Sequence, residues 1–341
     1  MSFPIAATAI VTDAPNESNV SWRIDKVQIR EPGEDELLVR IIASGICHSD
    51  VANSLTQEGT PGLLPFPKVL GHEGAGIVEQ VGNKISHVKK GDKVLLSFDY
   101  CGNEDCRACE DNTPGYCDQF HVKNLFSVPD VYQVDGKSAG GLFFGQSSFS
   151  SLALVKGTSV VNVEQLVKDE EELKLFAPMG CGYQTGAASV TELADVGKKD
   201  AVVVFGLGGV GMSAIMASSV RDAHTIIGVD RVQSRLDLAK ELGATHVIDT
   251  SNFKDVAIEL PAAIRKIAPK GANTVFDTTA IVALIAASMP ALHAKGQIIL
   301  IGNVNGKRLD LDLGLVLNSD DFETALTDMR AGTTIKPILL W

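Results

Sequence analysis

The sequence predicts an α/β protein of two domains, the first β-rich and the second built on a doubly wound parallel sheet. Three observations predict it. With 341 residues the chain has room for two domains of ordinary size. Up to about residue 160, apolar runs such as "ELLVRIIASGI" and "GAGIVEQVG" are bounded by Gly, Asp and Pro and show little helical periodicity. From 161 onward, short apolar runs alternate with amphipathic stretches, the pattern of parallel strands joined by crossover helices.

The elements follow in order. "KKGDKVLLSF" reads as a tight turn at Gly91-Asp92 followed by a strand. "DAVVVFGLGGVG" is a strand running into a glycine-rich turn, and "GMSAIMASSV" is apolar enough for a buried helix. "HTIIGVD" is the next strand. "RVQSRLDLAKELGA" places Leu236, Ala239 and Leu242 on one helical face, with Gly243 positioned to end the helix. "HVID", "NTVFDTT" and "GQIILIG" are three further strands. Near the end, Ser319 can cap a helix whose first turn carries Asp320, Asp321 and Glu323, acids that suit the positive end of a helix dipole. Phe322, Ala325, Leu326 and Met329 form its apolar stripe.

Charge narrows the function. Lys and Arg number 30 against 42 Asp and Glu, a net charge of −12, which argues against nucleic acid and anionic membrane partners. "MSFPIAATAIVTDAP" has neither a basic leader region nor a long apolar core, so no signal peptide or membrane span is expected and the location is read as cytoplasmic. In that reducing setting, clustered cysteines point to metal binding or catalysis rather than to disulfides.

Gly206-x-Gly208-x-x-Gly211 follows one strand, opens a helix, and precedes a second strand ending in the acid Asp230. That context makes the pattern a Rossmann fingerprint. Glycines let the backbone approach a pyrophosphate, and the helix N-terminus supplies N–H donors. Asp230 would accept hydrogen bonds from the adenosine ribose and repel a 2′-phosphate, favouring NAD over NADP; Arg231 and Arg235 moderate that preference. The competing reading is a glycine-rich turn with an incidental acid.

The six cysteines separate into two sets. Cys101, Cys106, Cys109 and Cys117 are spaced C-x4-C-x2-C-x7-C, and four thiolates on one loop can close a tetrahedral zinc sphere that contributes folding energy rather than chemistry. Free or redox-active thiols are the alternative. Cys47 in "GICHSD" and Cys181 in "PMGCGYQTG" have no cysteine nearby, and His72 lies between them in "GHEGAG". Two thiolates and an imidazole would leave one tetrahedral position open. Spacing by itself does not establish this, because distant ligands carry no sequence signature, and a lone histidine is more often a satisfied polar residue.

Together these residues carry a resemblance. Gly71-His72-Glu73, the four-cysteine lobe, the Cys181-Gly182-Tyr183-x-Thr185 turn and the Gly206–Gly211 loop occur in the order seen in zinc-dependent medium-chain alcohol dehydrogenases. The sequence resembles that family from about residue 5 to its end, and "FFGQSSFSSLALV" resembles the microbial aryl-alcohol (benzyl-alcohol) branch in particular. The resemblance implies a GroES-like catalytic domain over 1–160, completed by 319–341, and an NAD-binding Rossmann domain over 161–318. It implies two zinc ions per chain and NAD as cofactors. A catalytic zinc would be held by Cys47, His72 and Cys181, which is the Cys2His set known from alcohol dehydrogenases themselves, and a structural zinc by Cys101, Cys106, Cys109 and Cys117. Asp50 and Glu73 would stand behind the ligands, with Asp50 orienting the His72 imidazole. Ser49 would take the alcohol proton. His48 and Lys336 would lie by the pyrophosphate, Thr185 would touch the nicotinamide, and Gly206, Gly208, Gly209, Val210, Gly211, Asp230 and Arg235 would bind the dinucleotide. Phe143 and Phe144 would line an aromatic-accepting pocket or pack in the core. The expected reaction is hydride transfer between NAD and a primary alcohol/aldehyde pair, aryl or allylic, in a homodimer or homotetramer.

Three departures from the family pattern accompany the resemblance. Ala52 stands where many members place a histidine that finishes the proton relay, so His48 or a water chain must substitute. The first gap between structural cysteines is x4 rather than x2, a small cost, since doubling a loop adds only about 0.6 kcal/mol. After "LDLDLGLVLN", Asn318 passes directly to Ser319, so the Rossmann domain is expected to lack its last strand and assembly to be weakened. The competing function is a catalytically impaired zinc protein that still binds NAD.

Overall fold

The computed structural model describes residues 2–16, 19–57, 59–60, 63, 66–126, 128–302, 306 and 308–309. The chain divides into two compact units between Gly182 and Tyr183, so residues 161–182, Cys181 among them, group with the N-terminal unit.

The N-terminal unit holds ten strands among the described residues: β1 (Ile5–Asn16), β2 (Asn19–Ile29), β3 (Glu36–Gly45), β4 (Lys68–Val69), β5 (Glu73–Val81), β6 (Lys93–Leu96), β7 (Val128–Val134), β8 (Lys137–Gly141), β9 (Leu152–Lys156) and β10 (Val160–Asn162). Strands β1-β2-β7-β8-β4 close a barrel, and β10-β6-β5-β3-β9 form a second sheet. Val11, Ile29, Val69, Val131, Tyr132 and Phe143 are fully buried in the barrel core, and Leu37, Val39, Val78, Val94 and Leu96 in the sheet's own core. The expected turn at Gly91-Asp92 is present. Gly91 takes a left-handed φ of 94°, and the buried Asp92 carboxylate accepts from Lys89 N and Asn162 Nδ2.

Short helices interrupt this unit: α1 (His48–Ser54), α2 (Arg107–Glu110), α3 (Phe120–Leu125) and α4 (Glu170–Leu175). Sequence periodicity misses α1 because seven residues make no full apolar stripe. Polar contacts hold it instead, with Asp50 accepting the Cys47 N–H at 2.9 Å and Ser54 Oγ donating to the Asp50 carbonyl at 2.8 Å.

After α5 (Gly182–Ala188), the second unit alternates β11 (Ala201–Phe205), α6 (Gly209–Val220), β12 (Thr225–Asp230), α7 (Gln233–Glu241), β13 (His246–Asp249), α8 (Val256–Ile267), β14 (Ala272–Asp277), α9 (Val282–Ser288) and β15 (Leu292–Leu300). The strands are parallel in the order β13-β12-β11-β14-β15, a doubly wound sheet whose order reverses beside β11. One face is covered by Met212, Ile215 and Leu236 with Val202 and Val204 beneath them; the other packs Leu260 and Ile264 on Val203 and Phe205. Gly243 ends α7 with φ 115°. The expected loss of a last Rossmann strand, the completion of the first domain by 319–341, the capped helix at Ser319 and Lys336 all lie outside the described residues.

Candidate functional site

Strand register brings the first group together. In the antiparallel β3–β5 pair, Gly45 lies opposite Glu73. Cys47, two residues past Gly45, therefore meets His72, one residue before Glu73. Cys181 follows the one-turn helix at Ala177–Gly180. One donor atom from each of Cys47, His72, Glu73 and Cys181 lies within 4.8 Å of the other three.

The imidazole is held for ligation. Its Nδ1 is 3.0 Å from Asp50 Oδ1, and that oxygen also accepts Gly71 N at 3.0 Å while Oδ2 accepts Cys47 N. Asp50 is fully buried and accepts from Nδ1, so Nε2 is the ring nitrogen left to bind a metal. Nε2 is buried without a hydrogen-bond partner, an orphaned polar atom that a cation among two sulfurs would satisfy. The donor set and the orphaned nitrogen fit zinc. Phe144 stacks on the ring at 4.5 Å between centroids, and Phe143 meets it edge-on at 5.6 Å. Phe143 is fully buried and belongs to the core, whereas Phe144 is half-buried.

The electrostatics suit a cation. Cys47 is held far below the ordinary thiol range, first by the Cys181 thiol and then, against burial, by His72. Cys181 is pushed above that range by the same contact and by burial. Burial works against charge on His72, but Asp50 and the Cys47 sulfur outweigh it and raise the imidazole to about 10. Burial and the Cys47 charge raise Glu73, whose Oε1 accepts Gly182 N at 3.2 Å. A divalent ion bound here would displace the protons that His72 and Cys181 hold in its absence, because a bound cation reverses the local preference for the protonated forms. Ser49 lies in the first turn of α1, its hydroxyl 3.9 Å from Cys47 Sγ, and His48 beside it is exposed, as is Ala52.

Cys101, Cys106, Cys109 and Cys117 form a second group whose sulfurs also lie within 4.8 Å of one another. No disulfide joins them, and Cys101 and Cys109 are 3.7 Å apart at sulfur. Backbone N–H groups point at the sulfurs: Cys101 N and Gln119 N at Cys117, and Asn103 N at Cys101. The longer x4 gap is absorbed by an exposed turn at 102–105, with Gly102 left-handed at φ 64°, so Cys101 still reaches the cluster.

In the second unit each glycine of the fingerprint has a separate task. Gly206 has φ 82°, and a Cβ there would meet Thr278 Oγ1 at 2.6 Å. A Cβ on Gly208 would meet nothing within 4 Å, leaving its backbone open to a pyrophosphate. A Cβ on Gly211 would lie 1.9 Å from the Gly206 carbonyl, so only glycine lets α6 approach β11. Gly209 and Val210 begin α6. Asp230 closes β12 and accepts Leu207 N at 2.8 Å, tying that strand to the loop, with Arg235 at 3.7 Å. Thr185 lies in α5, where its carbonyl accepts Ser189 Oγ. Gly211→Ala should weaken NADH binding about 10- to 100-fold through about 1–3 kcal/mol of overpacking. Fluorescence titration measures it, and a dissociation constant within twofold of the parent would refute the assignment.

Comparison with known proteins agrees with this geometry. Residues 33–165 match the alcohol dehydrogenase GroES-like domain, and residues 209–323 match the zinc-binding dehydrogenase domain. A geraniol dehydrogenase from Castellaniella defragrans is 34% identical over 284 residues, 82% of this chain and 72% of that protein. The chain belongs to the zinc-dependent medium-chain alcohol dehydrogenases. Among solved structures similar to this member of the family, benzyl alcohol dehydrogenase from Acinetobacter calcoaceticus superimposes with a TM-score of 0.79 at 34% identity, covering 92% of this chain and 81% of that one. An alcohol dehydrogenase zinc-binding domain protein from Burkholderia ambifaria gives 0.81 at 35% identity with the same coverage. The chain is an alcohol dehydrogenase, an oxidoreductase whose cofactors are zinc and a nicotinamide dinucleotide. Among the described residues, no helix is long and apolar enough to cross a membrane.

Proposed function

We propose that this dehydrogenase oxidises primary aryl or allylic alcohols with NAD, through a site built on Cys47, His72 and Cys181. The convergence of those three donors around an unpartnered His72 Nε2 carries the reading. A zinc ion held by these residues would supply Lewis acidity that makes the alcohol proton easier to remove, and NAD would supply the hydride acceptor. The residues supply the rest. Asp50 fixes the imidazole tautomer and holds the Cys47 and Gly71 amides in one frame. Ser49, next to Cys47, receives the alcohol proton, and the exposed His48 passes it to water in place of the relay histidine that Ala52 replaces. Cys101, Cys106, Cys109 and Cys117 would hold a second zinc, which would staple residues 101–117.

The substrate class is supported by the similarity to a geraniol dehydrogenase and a benzyl alcohol dehydrogenase, and by the half-buried Phe144 face beside His72. NAD rather than NADP is favoured by Asp230, the acid that ends β12, whose charge would repel a 2′-phosphate, a preference that the nearby Arg235 moderates. Metal analysis followed by an alcohol screen with each dinucleotide tests all of this. The expected result is two zinc ions per chain and NAD-dependent oxidation of benzyl, cinnamyl or geranyl alcohol well above ethanol. No turnover by the zinc-loaded protein would overturn it. Ser49→Ala should lower turnover about 10²-fold with zinc content intact; unchanged turnover would remove Ser49 from the relay.

A further inference from the structure

The stretch "LFFGQSSF" at 142–149 is unusually constrained. Leu142, Phe144 and Ser147 all adopt left-handed backbone, at φ 58°, 52° and 56°, conformations that non-glycine residues hold only when their surroundings impose them. Those surroundings are residues 69–74, the segment that carries His72. Ser147 Oγ donates to Val69 O at 2.7 Å, Phe149 N to Leu70 O at 3.0 Å, and Ser148 N to Gly71 O at 2.9 Å.

We propose that Gln146 is a positioning residue for the zinc site, one buried amide that sets the His72 backbone and the approach to Cys181 in a common frame. The proposal rests on reading Cys47, His72 and Cys181 as zinc ligands. Gln146 is fully buried. Its Oε1 accepts Gly74 N at 3.1 Å, and its Nε2 donates to His72 O at 2.9 Å and to Ser97 O at 3.0 Å. The amide thus grips the chain on both sides of Glu73. Ser97 Oγ in turn donates at 3.0 Å to the carbonyl of Gly180, the residue before Cys181. Gln146 and Ser97 therefore link His72 to the segment carrying Cys181 through three hydrogen bonds.

The chemistry of the position selects a primary amide. Two carbonyls and one N–H converge on it, so it must supply two donors and one acceptor. A hydroxyl has one hydrogen, and an ionised carboxylate would face two carbonyl oxygens. The reversed amide orientation would set NH2 against the Gly74 N–H and oxygen against both carbonyls, so the orientation is determined by its partners. Asp50 and Phe144 orient the imidazole ring, and Gln146 holds the backbone from which that ring projects.

The test is zinc release to a chromophoric chelator, measured on the zinc-loaded protein. The parent should release two equivalents in two kinetic phases, and His72→Ala should abolish one of them. Gln146→Met should accelerate that same phase about tenfold or more and leave the four-cysteine phase unchanged. Ser97→Ala, a milder change, should accelerate it less. If His72→Ala retains both phases, the ligand assignment fails and the proposal with it. If Gln146→Met leaves both phases at parent rates, the ligand assignment stands and Gln146 has no positioning role. Acceleration of both phases together, with a lowered melting temperature, would show that Gln146 supports the fold generally, and would likewise overturn the proposal.

Discussion

Cys47→Ala should leave one zinc ion per chain instead of two and lower alcohol turnover by about 10³-fold or more. The substitution removes one of two sulfurs from a group in which every donor lies within 4.8 Å of the others. It also removes the anionic partner beside His72, and the remaining His72, Glu73 and Cys181 keep only one sulfur for the ion. The lost rate corresponds to about 4 kcal/mol of transition-state stabilisation, the size expected when charge development loses its metal. Elemental analysis and steady-state kinetics check both halves. The four-cysteine group serves as the control, because its sulfurs belong to another loop and should keep their zinc. A variant that retains two zinc ions, or turns over within tenfold of the parent, would show that Cys47 is not a ligand.

The second large effect is on both stability and metal. Asp50 is fully buried and accepts three hydrogen bonds, from Cys47 N, Gly71 N and His72 Nδ1. Asp50→Ala leaves the buried Gly71 amide, the partly buried Cys47 amide and the buried His72 imidazole N–H without this partner, at a cost of about 3–5 kcal/mol. A melting temperature about 10 °C lower is expected, since each kcal/mol moves a chain portion of this size by about 2–4 °C. Zinc affinity at the His72 site should fall about 10- to 100-fold, because nothing then fixes the imidazole tautomer. Asp50→Asn separates the two roles. An amide oxygen placed toward Gly71 and His72 keeps those two bonds, while its NH2 opposes the Cys47 N–H, so an intermediate loss is expected. Calorimetry and competitive zinc titration measure these quantities. Full zinc affinity in Asp50→Ala would refute the orienting role.

The parts of the fold that were legible in sequence are those written in neighbouring residues. Gly206, Gly208 and Gly211 each have a steric task set within one turn, and the alternation from β11 to β15 is carried by local periodicity. The four clustered cysteines are similar, since a short loop leaves them little choice of partner. Helix α1 was not legible, because its stability comes from Asp50 and Ser54 rather than from an apolar stripe. Gln146 was visible only as part of a family-like stretch. Nothing in its neighbours says that its partners are His72, Gly74 and Ser97.

Residue type alone made Cys47, His72 and Cys181 candidates, and the resemblance named them as one ligand set. What joins them is tertiary. The register of β3 on β5 sets Gly45 opposite Glu73 and so brings Cys47 to His72, and the turn after Gly180 delivers Cys181 to the same point. Strand register is decided by which faces bury apolar side chains along the whole sheet, a sum over many residues that no short motif contains.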